Sequence, residues 1–182
     1  IGEGAFTVIN ENLQRIRELT IQAANDTNSS VERRAIAEEV YQRIQDIDRI
    51  ASTTRGNNVY LLDGSTSTFV IQVGANSAEA TNTIDIGQVF QKATASSLGI
   101  VASTITAAAS GVYNSGDNCR TFLDAIDSAI STVGSRRSKL GALQNRLESS
   151  VQNMSIYIEN LTTTESRIRN LDIASESANM VK

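Results

Sequence analysis

Residues 126–168 read IDSAISTVGSRRSKLGALQNRLESSVQNMSIYIENLTTTESRI. Counting in sevens through this stretch meets an apolar residue at every step: Ile126, Val133, Leu140, Leu147, Met154, Leu161 and Ile168. Three half-way positions are apolar too, namely Ile130, Val151 and Ile158. This 4-3 pattern marks one face of a helix, and the chain contains no proline to break it. The stretch predicts a helix roughly 65 Å long that packs against partner helices in a loose coiled coil.

Two shorter amphipathic helices are predicted before residue 54. The first helix is expected to end near Ala24, and its inward face consists of Phe6, Ile9, Leu13, Ile16, either Leu19 or Thr20, and Ala23. A polar run follows, in which Ser29 and Glu32 have the spacing of a capping box. The inward face of the second helix consists of Ile36, Val40, Ile44, Ile47 and either Ile50 or Ala51. Because the link is short, the two helices are expected to be antiparallel neighbours.

Between residues 55 and 87 the apolar pattern changes to the period of strands. Residues 55–58 are turn-like, and residues 74–76 are expected to close a strand. Three segments are candidate short strands: 59–62, 69–73 and 83–86. The sequence therefore predicts a small β-hairpin region, with a three-stranded arrangement left open.

The remaining segments complete the predicted organisation. Residues 93–116 carry no charge and are rich in Ser, Thr, Ala and Gly, a composition expected to bury little surface. The predicted fold is mainly α, an elongated antiparallel bundle or coiled-coil rod of two N-terminal helices and one long C-terminal helix. Its predicted parts are a discontinuous helical rod at 1–54 and 118–172, the β-hairpin region at 55–87, a short variable insert at 88–117, and a lead into a missing terminal domain at 173–182.

Composition argues against several classes of function. The chain has no histidine, the most frequent acid–base residue at neutral pH and a common metal ligand. Carboxylate pairs such as Glu38 and Glu39 do not converge on a pocket, so no catalytic, cofactor-binding or metal-binding residues are predicted and the chain is expected not to be an enzyme. The net charge of −4 argues against nucleic acid as a partner. No stretch is apolar enough for a membrane span, so no membrane partner is expected.

The one cysteine of the chain, Cys119, excludes an internal disulfide. Two interpretations remain open for it: a buried or incidental thiol, and a crosslink between two chains.

Five blocks of sequence closely resemble bacterial flagellin, in the order of that family. They are LQRIREL at 13–19, IQVGAN at 71–76, LGALQNRL at 140–147, ENLT at 159–162 and ESRIR at 165–169. The resemblance implies the inner-tube domain of flagellin, called D1, without the terminal helices of the innermost domain, D0. The chain departs from the family at Gly56-Asn57-Asn58, where flagellins usually have Phe-Asn-Gly. Asn tolerates the left-handed backbone region that such a turn uses.

The resemblance also implies a function and partners. Flagellins are secreted through the flagellar export apparatus with a chaperone that binds a C-terminal segment missing from this chain. They then polymerise with other flagellin subunits into the extracellular filament that drives motility. The alternatives are a hook–filament junction protein and a flagellin-homologous surface adhesin.

A second role implied by the resemblance is recognition by vertebrate Toll-like receptor 5, a receptor of innate immunity. The contact residues of the family map onto Gln14, Arg15, Leu19, Gln22 and Glu39. An exposed Leu19 one turn from Arg15 would form one anchor for the receptor. In the alternative interpretation Arg15 pairs with Glu18 or with a carboxylate across the filament interface, and Leu19 belongs to the core.

Overall fold

The structure of the protein, a computed structural model, describes residues 1–65, 68–74, 82–106 and 111–180, without the side chains of 103, 106 and 171–179. Residues 75 and 76 of the stretch predicted to close a strand, and residues 181 and 182 of the predicted terminal segment, lie outside the described residues. The chain divides into two compact units. Unit 1 comprises Ile1–Val70 and Asp85–Gly141, and unit 2 comprises Ile71–Ile84 and Ala142–Lys182.

Helices α1 (Gly2–Ala23) and α2 (Ser30–Thr53) form the first part of unit 1. The predicted capping box is present: the Ser29 side chain accepts from the backbone N–H of Glu32, and the Glu32 carboxylate accepts from that of Ser29. Contacts between the helices join residue 15 to 39, 12 to 43 and 23 to 33. Residue numbers decrease along α1 as those of their partners increase along α2, so the two helices run antiparallel, as predicted.

Helix α4 (Gly116–Met180) is a continuous helix of 65 residues, which confirms the long helix predicted from the heptads. It begins two residues before the predicted rod boundary and passes through Gly134 and Gly141 without a break. In unit 1 it runs antiparallel to α1, since Arg17 pairs with Asp127 and Arg120 donates to the carbonyl of Ala24.

The core of unit 1 combines residues from all of these helices. Its fully buried members include the predicted inward faces of α1 and α2, together with the first heptad positions of α4: Phe6, Ile9, Leu13, Ile16, Val40, Ile44, Ile47, Ile126 and Val133. Leu140, the next heptad position, is also buried. Burial of each large aliphatic side chain contributes about 1.5–3 kcal/mol before the loss of conformational entropy is subtracted.

Four short strands replace the single hairpin region that the sequence predicted. Strands β1 (Arg55–Gly56) and β2 (Val59–Tyr60) pair antiparallel, with Arg55 opposite Tyr60. The turn-like interpretation of 55–58 was therefore correct only for Asn57 and Asn58. Asn57 and Asn58 both have positive φ, 49° and 66°, as a tight hairpin turn requires.

Strands β3 (Val70–Gln72) and β4 (Thr83–Asp85) form a separate two-stranded pair. The N–H of Val73 donates to the carbonyl of Asn82 at 2.7 Å, and that of Ile86 to Phe69 at 2.8 Å. The possible three-stranded arrangement is therefore wrong, because β1–β2 and β3–β4 are two sheets.

The segment before α4 packs much more tightly than its composition indicated. It contains 3₁₀ helices at Ser96–Leu98 and Val112–Asn114 and the short helix α3 (Ser103–Thr106). The expectation that residues 93–116 bury little is wrong, since six apolar residues of this stretch are buried: Ala93, Ala95, Leu98, Ile100, Ile105 and Tyr113. Val89 and Phe90, just before it, are buried too. These residues follow no helical or strand period, so pattern analysis could not place them in the core.

Candidate partner-binding surfaces

The five residues singled out by the resemblance do not share one environment. On α1, the side chains of Gln14, Arg15 and Gln22 are exposed, whereas Leu19 is 3 % exposed. On α2, Glu39 is half-buried. The exposed-leucine anchor is therefore wrong and the alternative that placed Leu19 in the core is correct, because α1 turns this residue towards the core.

Arg15 is held by two carboxylates. Its Nε donates to Glu39 Oε1 at 3.3 Å across the α1–α2 interface, and its Nη1 donates to Glu18 Oε2 at 3.1 Å along α1. The hydrogen bond to Glu18 first, and then that to Glu39, raises the pKa of the Arg15 guanidinium. The predicted pairing of Arg15 with Glu18 is therefore present within the chain.

Two residues that the sequence analysis did not select extend this network. Arg43 lies 3.8 Å from Glu39 Oε1 and donates from Nη1 to Asn12 Oδ1 at 3.2 Å. Asn12 in turn donates to the carbonyl of Val8 at 3.0 Å. The signal available in the sequence was the position of Asn12 next to Leu13 on the mostly apolar face of α1. The result is a polar surface fixed across α1 and α2, called the α1–α2 network below (Asn12, Arg15, Glu18, Glu39 and Arg43).

The part of α4 that belongs to unit 2 presents a second kind of surface. The heptad positions Met154, Leu161 and Ile168 are 38 %, 51 % and 64 % exposed, and the intervening positions Val151 and Ile158 are exposed as well. These five residues are called the α4 stripe below. Exposed apolar residues in such a continuous row mark a surface that binds a partner.

Cys119 and the remaining polar groups give no reactive site within the described residues. The Cys119 side chain is buried, its Sγ donates to the carbonyl of Val112 at 3.5 Å, and burial raises the pKa of the thiol. These features correspond to the buried-thiol interpretation, since reactive cysteines need exposure and a lowered pKa. No group of three potential metal ligands occurs among the described residues. In the same part of the chain, no helix is long and apolar enough to span a membrane.

The fold and these surfaces define a mainly helical module with an interhelical polar network and an uncovered apolar helix face. Residues 1–67 match the family described as the bacterial flagellin N-terminal helical region, and residues 123–182 match the bacterial flagellin C-terminal helical region. The chain belongs to the bacterial flagellin family, as the sequence blocks indicated. This family is one of structural proteins and not of enzymes, in agreement with the prediction.

Individual relatives agree with this assignment. A flagellin of Halalkalibacterium halodurans is 39 % identical over 96 % of this chain, and a flagellin of Bacillus subtilis is 36 % identical over 99 %. The chain spans 60 % and 66 % of the lengths of these two relatives. The crystal structure of Bacillus cereus flagellin is 26 % identical, with a TM-score of 0.66 over 84 % of this chain and 81 % of that one.

Proposed function

We propose that the chain is a structural subunit of the bacterial flagellar filament, an extracellular helical polymer of flagellin copies that serves motility. The proposal includes secretion through the flagellar export apparatus and an export chaperone as a partner. Membership of the flagellin family supports this function.

The exposed α4 stripe is the structural observation that carries the proposal. Burying exposed apolar area contributes about 25 cal/mol per Å², so leaving a row of such side chains in water forgoes a large stabilisation. A heptad row is covered best by another helix, because helical knobs then fill the holes between the side chains. Contacts that do not close on themselves produce open helical polymers.

Electron microscopy of the protein at its full natural length tests this function. We expect long helical filaments above a critical concentration, and non-motile cells when the gene is deleted. Short, non-elongating assemblies that bind only to hook or filament ends would instead support the hook–filament junction alternative. Binding of host glycans without filament formation would support the adhesin alternative, and either result would contradict the proposal.

Recognition by Toll-like receptor 5 is a second proposal, and the exposed face of α1 supports it. Gln14, Arg15 and Gln22 are accessible there, and the guanidinium of Arg15 donates to Glu39. Arginine is frequent among residues that dominate binding, and an existing hydrogen bond that orients it lowers the side-chain entropy lost on binding. With Leu19 buried, the recognised set is Gln14, Arg15, Gln22 and Glu39, and Leu19 would act by holding α1 in place.

A receptor reporter assay with Arg15→Ala tests this recognition. We expect weaker signalling with unchanged helix content by circular dichroism. The matched control is Arg49→Ala, which also removes an exposed arginine paired with a carboxylate three residues away. Wild-type signalling from Arg15→Ala, or an equal loss from Arg49→Ala, would remove the assignment.

A further inference from the structure

Unit 1 carries one acidic group and one basic group that form no ion pair among its described residues; all their members are exposed except Arg136, which is half-buried. One is the pair Glu3 and Glu11 on the outer side of α1, called the acidic ridge. The other consists of Lys92, just before the 3₁₀ helices, with Arg136 and Lys139 on α4, and is called the basic flank. In the described part of the chain, no residue of either group has an ion pair within 4.0 Å.

The acidic ridge differs from the other exposed carboxylates of α1. Glu18 is bound by Arg15, whereas the Glu3 and Glu11 side chains have no hydrogen bond among the described residues, and both are exposed. Eight residues separate them, which places them about two turns and 12 Å apart along the helix. Their charge is therefore available to a partner approaching α1 from solvent.

The basic flank is held together by the backbone. Arg136 Nη1 donates to the carbonyls of Lys92 at 3.0 Å and Gln91 at 3.3 Å, which fixes the guanidinium next to the chain at residue 92. Lys139 lies three residues after Arg136 and is its neighbour on the helix surface. Burial lowers the pKa of Arg136, because water can no longer solvate the charge fully.

One carboxylate lies near this flank. The hydrogen bonds from Ser65 lower the pKa of Asp63, and the charge of Lys92 adds a smaller effect in the same direction. Asp63 is nevertheless beyond ion-pair distance of Lys92 and already accepts from the Ser65 N–H at 2.8 Å. The flank thus keeps an excess of positive charge in a chain whose net charge is −4.

We infer that the acidic ridge of one copy contacts the basic flank of a second copy. The two surfaces are different patches of the same chain and carry opposite charge, so a contact between the ridge of one copy and the flank of the next is attractive, and it produces an open polymer where the rotation between copies does not close a ring. Arg136 and Lys139, three residues apart on α4, repel each other in the isolated chain. Carboxylates of a second copy placed against them would offset this repulsion. The inference rests on the proposed filament function and names one of the surfaces that assembly would use.

Charge reversal in the protein at its full natural length tests the contact. The variants are Glu3→Lys with Glu11→Lys, Lys92→Glu with Lys139→Glu, and all four changes together. The control is Arg34→Glu with Arg49→Glu on α2, which changes the net charge as much as the basic-flank variant does. Elongation is followed by light scattering in about 50 mM and about 500 mM NaCl, where the Debye length is about 14 Å and about 4 Å. Helix content is checked by circular dichroism.

We expect each two-residue variant to elongate about tenfold more slowly at low salt, and the four-residue variant to recover, because the attraction is restored with reversed signs. At high salt the elongation rates of the variants should approach that of the wild type, because salt screens the charges. Wild-type rates in both two-residue variants, no recovery in the combined variant, or equal slowing by the control would overturn the contact. If the wild-type protein itself forms no filaments, the proposed function fails instead, so the two failures are distinguishable.

Discussion

A buried hydrogen bond joins α1 to the segment that precedes α4. The hydroxyls of Thr20 and Tyr113 lie 2.7 Å apart, and Thr20 Oγ1 also lies 2.7 Å from the carbonyl of Ile16, to which it can donate. Tyr113 has no further hydrogen-bond partner among the described residues. Because an unsatisfied buried hydroxyl costs more than a lost bond, the two partners are not equivalent.

We expect Thr20→Val to lower the free energy of unfolding by about 1–3 kcal/mol, since the Tyr113 hydroxyl is then left buried without a partner. Tyr113→Phe should cost less, about 1 kcal/mol, because Thr20 keeps its bond to Ile16. Urea unfolding of both variants and of the double variant measures the coupling between them. If the double variant loses as much free energy of unfolding as the two single variants together, Thr20 and Tyr113 are not coupled by a hydrogen bond.

The same tyrosine predicts a dependence of stability on alkaline pH. Burial raises the pKa of Tyr113 above that of the unfolded chain, about 10. Because the pKa of Tyr113 is raised in the folded state, its protonated side chain stabilises the fold fully below about pH 10. This stabilisation is lost as the pH rises from there through the pKa of the folded state.

Unfolding free energies measured between pH 9 and pH 11, about one unit on either side of the unfolded tyrosine pKa, check this effect. The wild-type protein should lose stability with pH more steeply than Tyr113→Phe. Tyr157→Phe, which changes a tyrosine on the exposed part of α4, serves as the control and should keep the wild-type slope. A wild-type slope in Tyr113→Phe would show that this residue is not the titrating group.

Among the secondary-structure elements, the β1–β2 hairpin depends most directly on local sequence. Asn57 and Asn58 both occupy the left-handed region, where a side chain costs roughly 1 kcal/mol relative to glycine. Asn58→Gly should therefore raise the free energy of unfolding by about 0.5–1 kcal/mol, and Asn58→Ala should lower it by a similar amount. Chemical denaturation compares the two variants, and a stabilising alanine would show that the turn has another conformation.

How far the sequence predicts the elements depends on whether their burial is periodic. Ser29 and Glu32 identified the start of α2, and the heptads identified α4, because each signal is local and repeats at a helical period. The segment from Val89 to Tyr113 carries no such period and folds through tertiary contacts, so its burial could not be predicted. The helical period placed Leu19 or Thr20 on the inward face, and only the family correspondence suggested an exposed Leu19. Such a correspondence identifies a contact residue without saying which way its side chain points.

At the level of the whole molecule, the two parts of α4 should respond differently to mutation. Leu140 is buried in unit 1, whereas Leu161 and Ile168 in unit 2 are exposed. Leu140→Ala should lower the free energy of unfolding of the chain by about 2–5 kcal/mol. Leu161→Ser combined with Ile168→Ser should change it by less than about 0.5 kcal/mol, because exposed substitutions remove little packing.

Filament assembly should be sensitive to the Leu161 and Ile168 substitutions that hardly affect unfolding, since the α4 stripe is the surface that a partner helix would cover. In the protein at its full natural length, Leu161→Ser with Ile168→Ser should raise the critical concentration for filament formation about tenfold or more, which corresponds to roughly 1.4 kcal/mol of lost contact. Sedimentation of polymer from monomer measures this concentration. The control is Thr163→Ala, which removes a polar group on the same exposed part of α4 and should leave the concentration unchanged. Normal assembly of the double variant would mean that the exposed heptads are not an assembly surface, even if the flagellin fold is intact.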